Sequence, residues 1–497
     1  MRPDWFDYRT HCHVCGRSQL GKSKWCESCM RDHVDRGHGF CLIDWHGKSY
    51  YAMLNYLAYQ RPSQPIVLLD LSGGEFIRLF NPFALPPNTD VSAHASRLTD
   101  VILKAWGERD SNEMPTYKRI TKMLLSFTAD TGEPLHHAAR LLELPKKELR
   151  EWAISLISDP HVKQQWKEFQ YIRLYRDWKH EVQSTLNRLD PLIGSKTLRL
   201  FTGLKDVSTC VEDWITQGAI VLVNIKPSRS LSDESAKVFA GLVLSEFLHA
   251  AITHAETERP YYLYLDECQN YLTTDAGRML DESLKAGLRI TFIHHHMAQD
   301  VFLKNPDLKY SVEMNAKLKV VFGGLPVDEA KRYAEELFIH EVNQRKEKER
   351  LYRLENHMIE TTYRATTSSE RGSSTTTGTR YEPYQELVTA GVIEWSREEK
   401  ISLLAEKLMR LRERHYYLQL PGGEAFEHEV EYVADYLPES PYVLEYEKAL
   451  HSGSIPKHEA ERSIEEEERR FLKRAEEYEY TGTRRPKKRP ASLHPQE

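Results

Sequence analysis

Eight consecutive residues near the start of the chain have the types and spacing to hold a triphosphate: Gly16-Arg17-Ser18-Gln19-Leu20-Gly21-Lys22-Ser23 follows G-x-x-x-x-G-K-[ST]. The glycines let the chain turn so that backbone N–H groups face phosphate oxygens, and a helix opening here adds the partial positive charge of its N-terminus. Lys22 is then the residue for the β- and γ-phosphates, and Ser23 offers its hydroxyl to Mg²⁺. Such a loop needs one carboxylate to hold the metal through water and another to polarise the attacking water. The apolar run Tyr261-Tyr262-Leu263-Tyr264-Leu265 ends on Asp266-Glu267 and supplies both, with Asp266 on the metal side and Glu267 as general base.

These two runs must be brought together by elements far apart in sequence. Periodicity predicts strands at 11–15, 40–44, 66–70, 219–225, 261–265, 289–294 and 317–322, with helices at 22–35 and 234–253. Strand, helix, strand at this spacing is a βαβ unit and favours a parallel sheet. Between 109 and 203 the apolar residues keep helical period, as in Met123, Leu124, Phe127 and Leu135, Ala138, Leu141, Leu142, and no strand pattern interrupts them. Residues 341–360 are highly charged and 361–379 are Ser/Thr-rich, a composition expected of a flexible linker or exposed arm. An amphipathic helix at 396–414 precedes two strands, 415–420 and 427–433, around Pro421-Gly422-Gly423; a charged helix at 459–477 and the basic cluster Arg484, Arg485, Lys487, Lys488, Arg489 close the chain.

The expected organisation is therefore a phosphate-loop core in two parts, 1–108 and 206–340, an all-helical insertion at 109–205, a linker or arm at 341–385, a helix and β-hairpin returning to the core at 386–440, and a charged helix with basic tail at 441–497. In class it is α/β. The length of 497 residues and the 40% hydrophobic content allow a large core, and the net charge of −6 confines any nucleic-acid contact to local basic clusters. No apolar run reaches the roughly 18 residues that cross a bilayer, and the charged, aromatic start is unlike a signal peptide. A cytoplasmic protein without a membrane span is expected.

Seven cysteines without a secretory context point to reduced thiols or a metal. Cys12-x-x-Cys15 and Cys26-x-x-Cys29, with His11, His13 and His33 nearby, have the spacing of paired zinc knuckles. The phosphate-loop reading sets the first pair on a strand and the second on the following helix, so a zinc-ribbon nucleic-acid binder stands as an alternative to it.

With these pieces in order, the chain resembles the HerA/FtsK superfamily of ring-forming, DNA-pumping ATPases, and within it TraD-like conjugative coupling proteins and HerA-like relatives. The resemblance runs through residues 11–335 and more weakly through 385–435. It is carried by the loop 16–23, by residues 37–47 (GHGFCLIDWHG), which look like the family's Gly-x-Gly strand ending in Asp-Pro-His-Gly, by Phe80-Asn81-Pro82-Phe83, by Asp266-Glu267, and by residues 287–299 in place of a strand ending in His-Gln.

The resemblance implies a RecA-like P-loop fold, ATP and Mg²⁺ as cofactors, DNA as partner, and a homo-hexameric translocase working with a nuclease, in DNA processing or anti-phage defence, or with a component of a conjugation apparatus. It places Asp44 and His46 beside the nucleotide. Trp45 stands where the family has proline, and His295 where it has the glutamine that senses the γ-phosphate. Leu284 occupies the place of an arginine that reaches a neighbouring subunit's ATP, leaving Arg199, Lys285 and Arg289 as candidate fingers. Those changes also allow another reading, a nucleotide-gated scaffold with slow turnover. The basic tail at 484–489 is a candidate DNA contact.

Overall fold

The computed structural model describes residues 9–105, 115–143, 147–170, 175–205, 211–253, 259–272, 280, 282–295, 306–435 and 441–482. They divide into two compact units, residues 1–324 with 411–497, and residues 325–410.

The first unit is built on nine strands: β1 (Cys12–Cys15), β2 (Phe40–Asp44), β3 (Ile66–Asp70), β5 (Ile220–Asn224), β6 (Tyr261–Leu265), β7 (Leu288–Ile293), β8 (Leu318–Phe322), β11 (His415–Gln419) and β12 (Ala425–Glu429), in the order β12-β11-β8-β1-β7-β6-β2-β5-β3. Seven of them, β8 to β3, run parallel; β11 and β12 add to the β8 edge antiparallel. The parallel strands are continuous apolar runs because both faces are covered. Alternate residues feed two different cores: Cys41, Ile43, Val221, Val223, Leu263 and Leu265 point to one, Phe40, Leu42, Ile220, Leu222, Tyr262 and Tyr264 to the other.

Helices α1 (Lys22–Arg36) and α2 (Lys48–Gln60) fill the second core with Trp25, Met30, Met53 and Leu57. The first core is closed by α3 (Val91–Ala105), by the insertion helices α4 (Pro115–Thr131), α5 (Leu135–Arg140), α6 (Lys147–Leu156), α7 (Pro160–Gln170), α8 (Tyr175–Ile193) and α9 (Lys196–Thr202), by α10 (Val211–Thr216), and by α11 (Asp233–Thr253). Against the sequence expectation, α11 is long and apolar enough to cross a membrane by composition alone, but 78% of its most apolar window is buried in this core. Its Phe239 packs edge-on against Phe80 and Phe201, which is what the apolar surface is for.

One feature of the insertion has no counterpart in the sequence reading. The charged helix Lys457–Gly482 lies on it, with Phe471 stacked 4.5 Å from His137 and edge-on to Trp152, and with Glu468 and Glu461 paired to Arg140 and Lys196. Two short strands, β4 (Phe76–Ile77) and β13 (Ile455–Pro456), tie the start of this helix to the loop after β3.

In the second unit the segment expected as a linker or exposed arm is an exposed arm, made of two long strands. Residues Glu347–Ser369 (β9) and Gly372–Glu394 (β10) pair antiparallel along their whole length, so the boundary expected at 385/386 falls inside a strand. The composition that argues against a packed core is rich in Thr and includes Tyr363, residue types that favour extended backbone, and both faces of the ribbon are exposed. Glu370 and Arg371 make the turn, and Gly372, at φ 139°, opens β10 directly after it. Pro383 sits within β10 opposite Met358, with the ladder intact on either side. The ribbon's base is a helical cluster: Val327–Leu337, Ile339–Asn343 and Arg397–Met409, the last opened by a capping box between Ser396 and Glu399.

Candidate nucleotide site

The site lies at the carboxyl ends of the parallel strands, where the chain leaves β1, β2, β6 and β7. The loop 16–21 connects β1 to α1. Gly16 (φ 137°), Gln19 (φ 68°) and Gly21 (φ 113°) turn it, and Gly16 N–H donates to His295 O at 3.1 Å while Arg17 N–H donates to Gly323 O at 3.1 Å. A Cβ on Gly16 would lie 2.5 Å from Phe322 Cβ, so the loop rests directly on the end of β8. The two ends of the β11–β12 hairpin close it from the other side: Arg414, just before β11, donates its N–H to Leu20 O, and the strap after β12 lays Val430 against Gly21 and pairs Asp435 with Lys24 of α1.

Lys22 is buried, and its ammonium donates to Gly16 O and, at 3.2 Å, to Arg17 O. Burial lowers its pKa, opposed by the field of Glu267. Ser23 follows it, exposed on the first turn of α1.

β7 lies between the loop strand β1 and the acid strand β6, and the residue that leaves its end bridges the two. His295 sits 3.3 Å from Lys22 Nζ, 3.4 Å from Ser18 Oγ and 3.1 Å from Glu267 Oε1. Glu267 also meets His46 at 3.6 Å and accepts from Gln269 Nε2. Burial alone would raise the Glu267 carboxyl; the contacts from His295, His46 and Gln269 outweigh it and hold the group well below the usual carboxylate range. The same carboxylate raises His46. Glu267 has left-handed backbone, φ 47° and ψ 46°, an unusual state for a side-chain-bearing residue at a strand end. Asp266 behaves oppositely: burial, then Asp44 and Glu267, push its carboxyl up to about 8.

Asp44 is fully engaged at the start of α2, its Oδ1 accepting from His46 and Gly47 N–H and its Oδ2 from Tyr50 N–H. It orients the turn that presents His46. Trp45 stacks at 6.5 Å on Tyr271, whose hydroxyl donates to Asp266 O. Beneath the loop His13 and His294 stack with their Nε2 atoms in contact, a buried pair that the sequence reading did not foresee.

The candidate fingers lie away from this cluster. Arg289 is the second residue of β7, about 20 Å along the chain from His295 at roughly 3.3 Å per residue. Lys285 is exposed and Leu284 half-buried just before it. Arg199 lines a cavity of about 180 Å³ together with His136, Arg140 and Glu468. The basic tail at 484–489, Asp281 and the end of the 287–299 run lie outside the described residues. Cys12 and Cys15 are buried in β1, and Cys26 and Cys29 in α1. Among the described residues no three His, Cys, Asp or Glu side chains are grouped to hold a metal ion, so the zinc ribbon is not built.

Neither Gln269 nor the strap belongs to the motifs of the sequence, although Gln269 stands only three residues after Asp266. The strap is joined to the loop only by tertiary contacts and carries no local signal.

A phosphate-binding loop after one parallel strand, an acid pair two strands away and a mostly parallel sheet define the fold as that of a RecA-like P-loop NTPase. Solved structures share it. The bacterial conjugative coupling protein TrwBdeltaN70 in its unbound form aligns with a TM-score of 0.54 at 13% identity, over 87% of this chain and 88% of that one. TrwB in complex with ADP and Mg²⁺ aligns at 0.53, 13% identity and 87% of each chain. VirB4 of Thermoanaerobacter pseudethanolicus aligns at 0.50 and 13% identity, over 90% and 93%. No protein-family model and no curated protein matches the sequence.

Proposed function

We propose that this chain is an ATP-driven DNA motor that binds ATP and Mg²⁺ between the loop 16–23 and the acids Asp266 and Glu267. The observation that supports the reading is His295, within 3.3 Å of both Lys22 and Glu267, one residue in reach of both halves of the motif. A likeness in fold to TrwB, a plasmid coupling protein solved with an ATP analogue and with ADP and Mg²⁺, supports it.

On this reading phosphate oxygens replace Gly16 O and Arg17 O as acceptors for the Lys22 ammonium. The donor set fits a hard divalent ion: the exposed Ser23 hydroxyl and the Asp266 carboxyl, whose crowding by Asp44 and Glu267 a cation would relieve. Bound Mg²⁺ would neutralise charge on the β- and γ-phosphates. Glu267, ionised and steered by Gln269 and the two histidines, takes the proton of the attacking water. The acids lie on the β6 side of the loop and the strap on the β11 side, so the base of the nucleotide faces the strap, where Tyr432 is 81% exposed. We place Tyr432 against that base.

Six subunits in a ring, with Arg199, Lys285 or Arg289 reaching a neighbour's ATP and a nuclease or transfer-apparatus protein as partner, complete the proposal. Nucleotide binding tests its foundation: Lys22→Ala should weaken ATP binding at least about tenfold, and Glu267→Gln should leave binding intact while abolishing turnover. ATP affinity unchanged by Lys22→Ala would sink the reading. Stimulation of turnover by double-stranded DNA tests the motor itself, and a rate indifferent to DNA favours a nucleotide-gated scaffold.

A further inference from the structure

The nucleotide-site residues named above belong to the first unit; the β9–β10 ribbon belongs to the second, and its chemistry changes halfway along. The half next to the helical base, residues 347–360 and 381–394, carries seven acidic residues against three basic ones. The distal half, residues 361–380, carries three arginines against the single acid Glu370, and 12 of its 20 residues are Ser or Thr. In a chain of net charge −6 this is a local reversal of sign on an exposed, elongated element.

The strand register fixes where the arginines go. Arg364 pairs with Thr377 and Arg380 with Thr361, so the two stand on opposite faces of the ribbon, and Arg371 lies in the connecting turn. All three are exposed. Arg364 and Arg371 form no ion pair among the described residues; Arg380 meets Glu382 at 2.9 Å, an exposed pair that solvent makes weak. The Tyr363 ring covers Gly378, and Thr361 Oγ1 donates to Arg380 O, so the distal half keeps its shape without a core.

We propose that residues 361–380 bind double-stranded DNA by entering the major groove tip first, Arg364 and Arg380 reaching the phosphates of opposite walls and the Ser/Thr hydroxyls donating to backbone oxygens. A two-stranded ribbon fits that groove, which is about 12 Å wide. Arginine and hydroxyl donors without base-edge partners make contacts that position the protein without reading sequence. This rests on the motor reading above and names its DNA surface; charge complementarity chooses the partner, since the acidic proximal half would be repelled by the same duplex.

The test is the salt dependence of duplex binding by the full chain, measured with fluorescent DNA of two unrelated sequences. Replacing Arg364, Arg371 and Arg380 together by Gln should weaken binding at least about tenfold and lower the slope of log K against log salt by about 2 to 3, equally for both sequences. ATP affinity should stay at the wild-type value, which also shows that the variant is folded. Glu370→Arg should act in the opposite sense, tightening binding and steepening the slope by about 1. If both variants keep the wild-type slope, the ribbon proposal is overturned while the motor reading stands. A wild-type chain that binds ATP through Lys22 and fails to bind duplex DNA overturns the ribbon proposal and the DNA motor together.

Discussion

The loop-and-acid edge of the sheet and the β9–β10 ribbon are both made of backbone that departs from a packed core, yet they are held by opposite means. At the sheet edge each functional group is braced from several elements: the loop rests on Phe322 from β8, is capped by Arg414 just before β11 and by Val430 from the strap, and is tied to the end of β7 through His295 O. The ribbon is about 75 Å long at roughly 3.3 Å per residue, and along almost all of that length cross-strand pairing is its order. Positions that must be right to a fraction of an ångström are over-determined. An element whose use is reach is not.

This contrast predicts a graded series of effects. The largest falls on the floor of the loop: Phe322→Ala should cost about 3–5 kcal/mol in denaturant unfolding, whereas Leu354→Ala on the exposed ribbon should stay within about 0.5 kcal/mol. Equal losses would erase the distinction. Acid comes next. His94 and His136, buried beneath the insertion and its neighbours, are held by burial at about 3 and about 2, far below an unfolded histidine. Both states are neutral above pH 6.5; below it the unfolded chain takes up protons that the folded one refuses, so stability falls as the pH drops from 6.5 towards 3. At pH 5.5 each histidine should contribute a loss of about 1.4 kcal/mol relative to pH 7.5, and His136→Gln should flatten the profile; a profile unchanged by that substitution contradicts the assignment. A smaller effect is expected at the strap, where Tyr432→Ala should weaken ATP by roughly five- to twentyfold, the equivalent of about 1–2 kcal/mol of stacking. Tripolyphosphate, which has no base, should bind as before, and Tyr432→Phe should restore ATP. The least sensitive positions are hydroxyls of the distal ribbon: Thr375→Ala should change stability by no more than about 0.5 kcal/mol.

Much of the sheet was legible because its information is local. The run Phe40–Asp44 is a strand with the predicted ends, and so is Tyr261–Leu265, since a short apolar segment bounded by Gly39 or Pro260 on one side and an acid on the other has few alternatives. The loop was legible for the same reason, its glycines and lysine being consecutive. The exposed arm was legible and its strands were not, because Ser/Thr composition argues correctly against a core and says nothing against two strands pairing with each other. The docking of Phe471 on His137 and Trp152, and of Arg414 over Leu20, depends on residues hundreds of positions apart, and no window of sequence contains both partners.

Pro383 has a consequence for how the protein behaves in a crowded solution. A pair of long strands with bare outer edges is a template on which further copies could be laid side by side, the first step towards a fibre. Because the ladder to β9 continues past Pro383 on both sides, the donor that proline lacks is missing from the outward edge of β10. Any chain zipping along that edge meets a gap near its middle, so one of the ribbon's two outer edges is broken as a template.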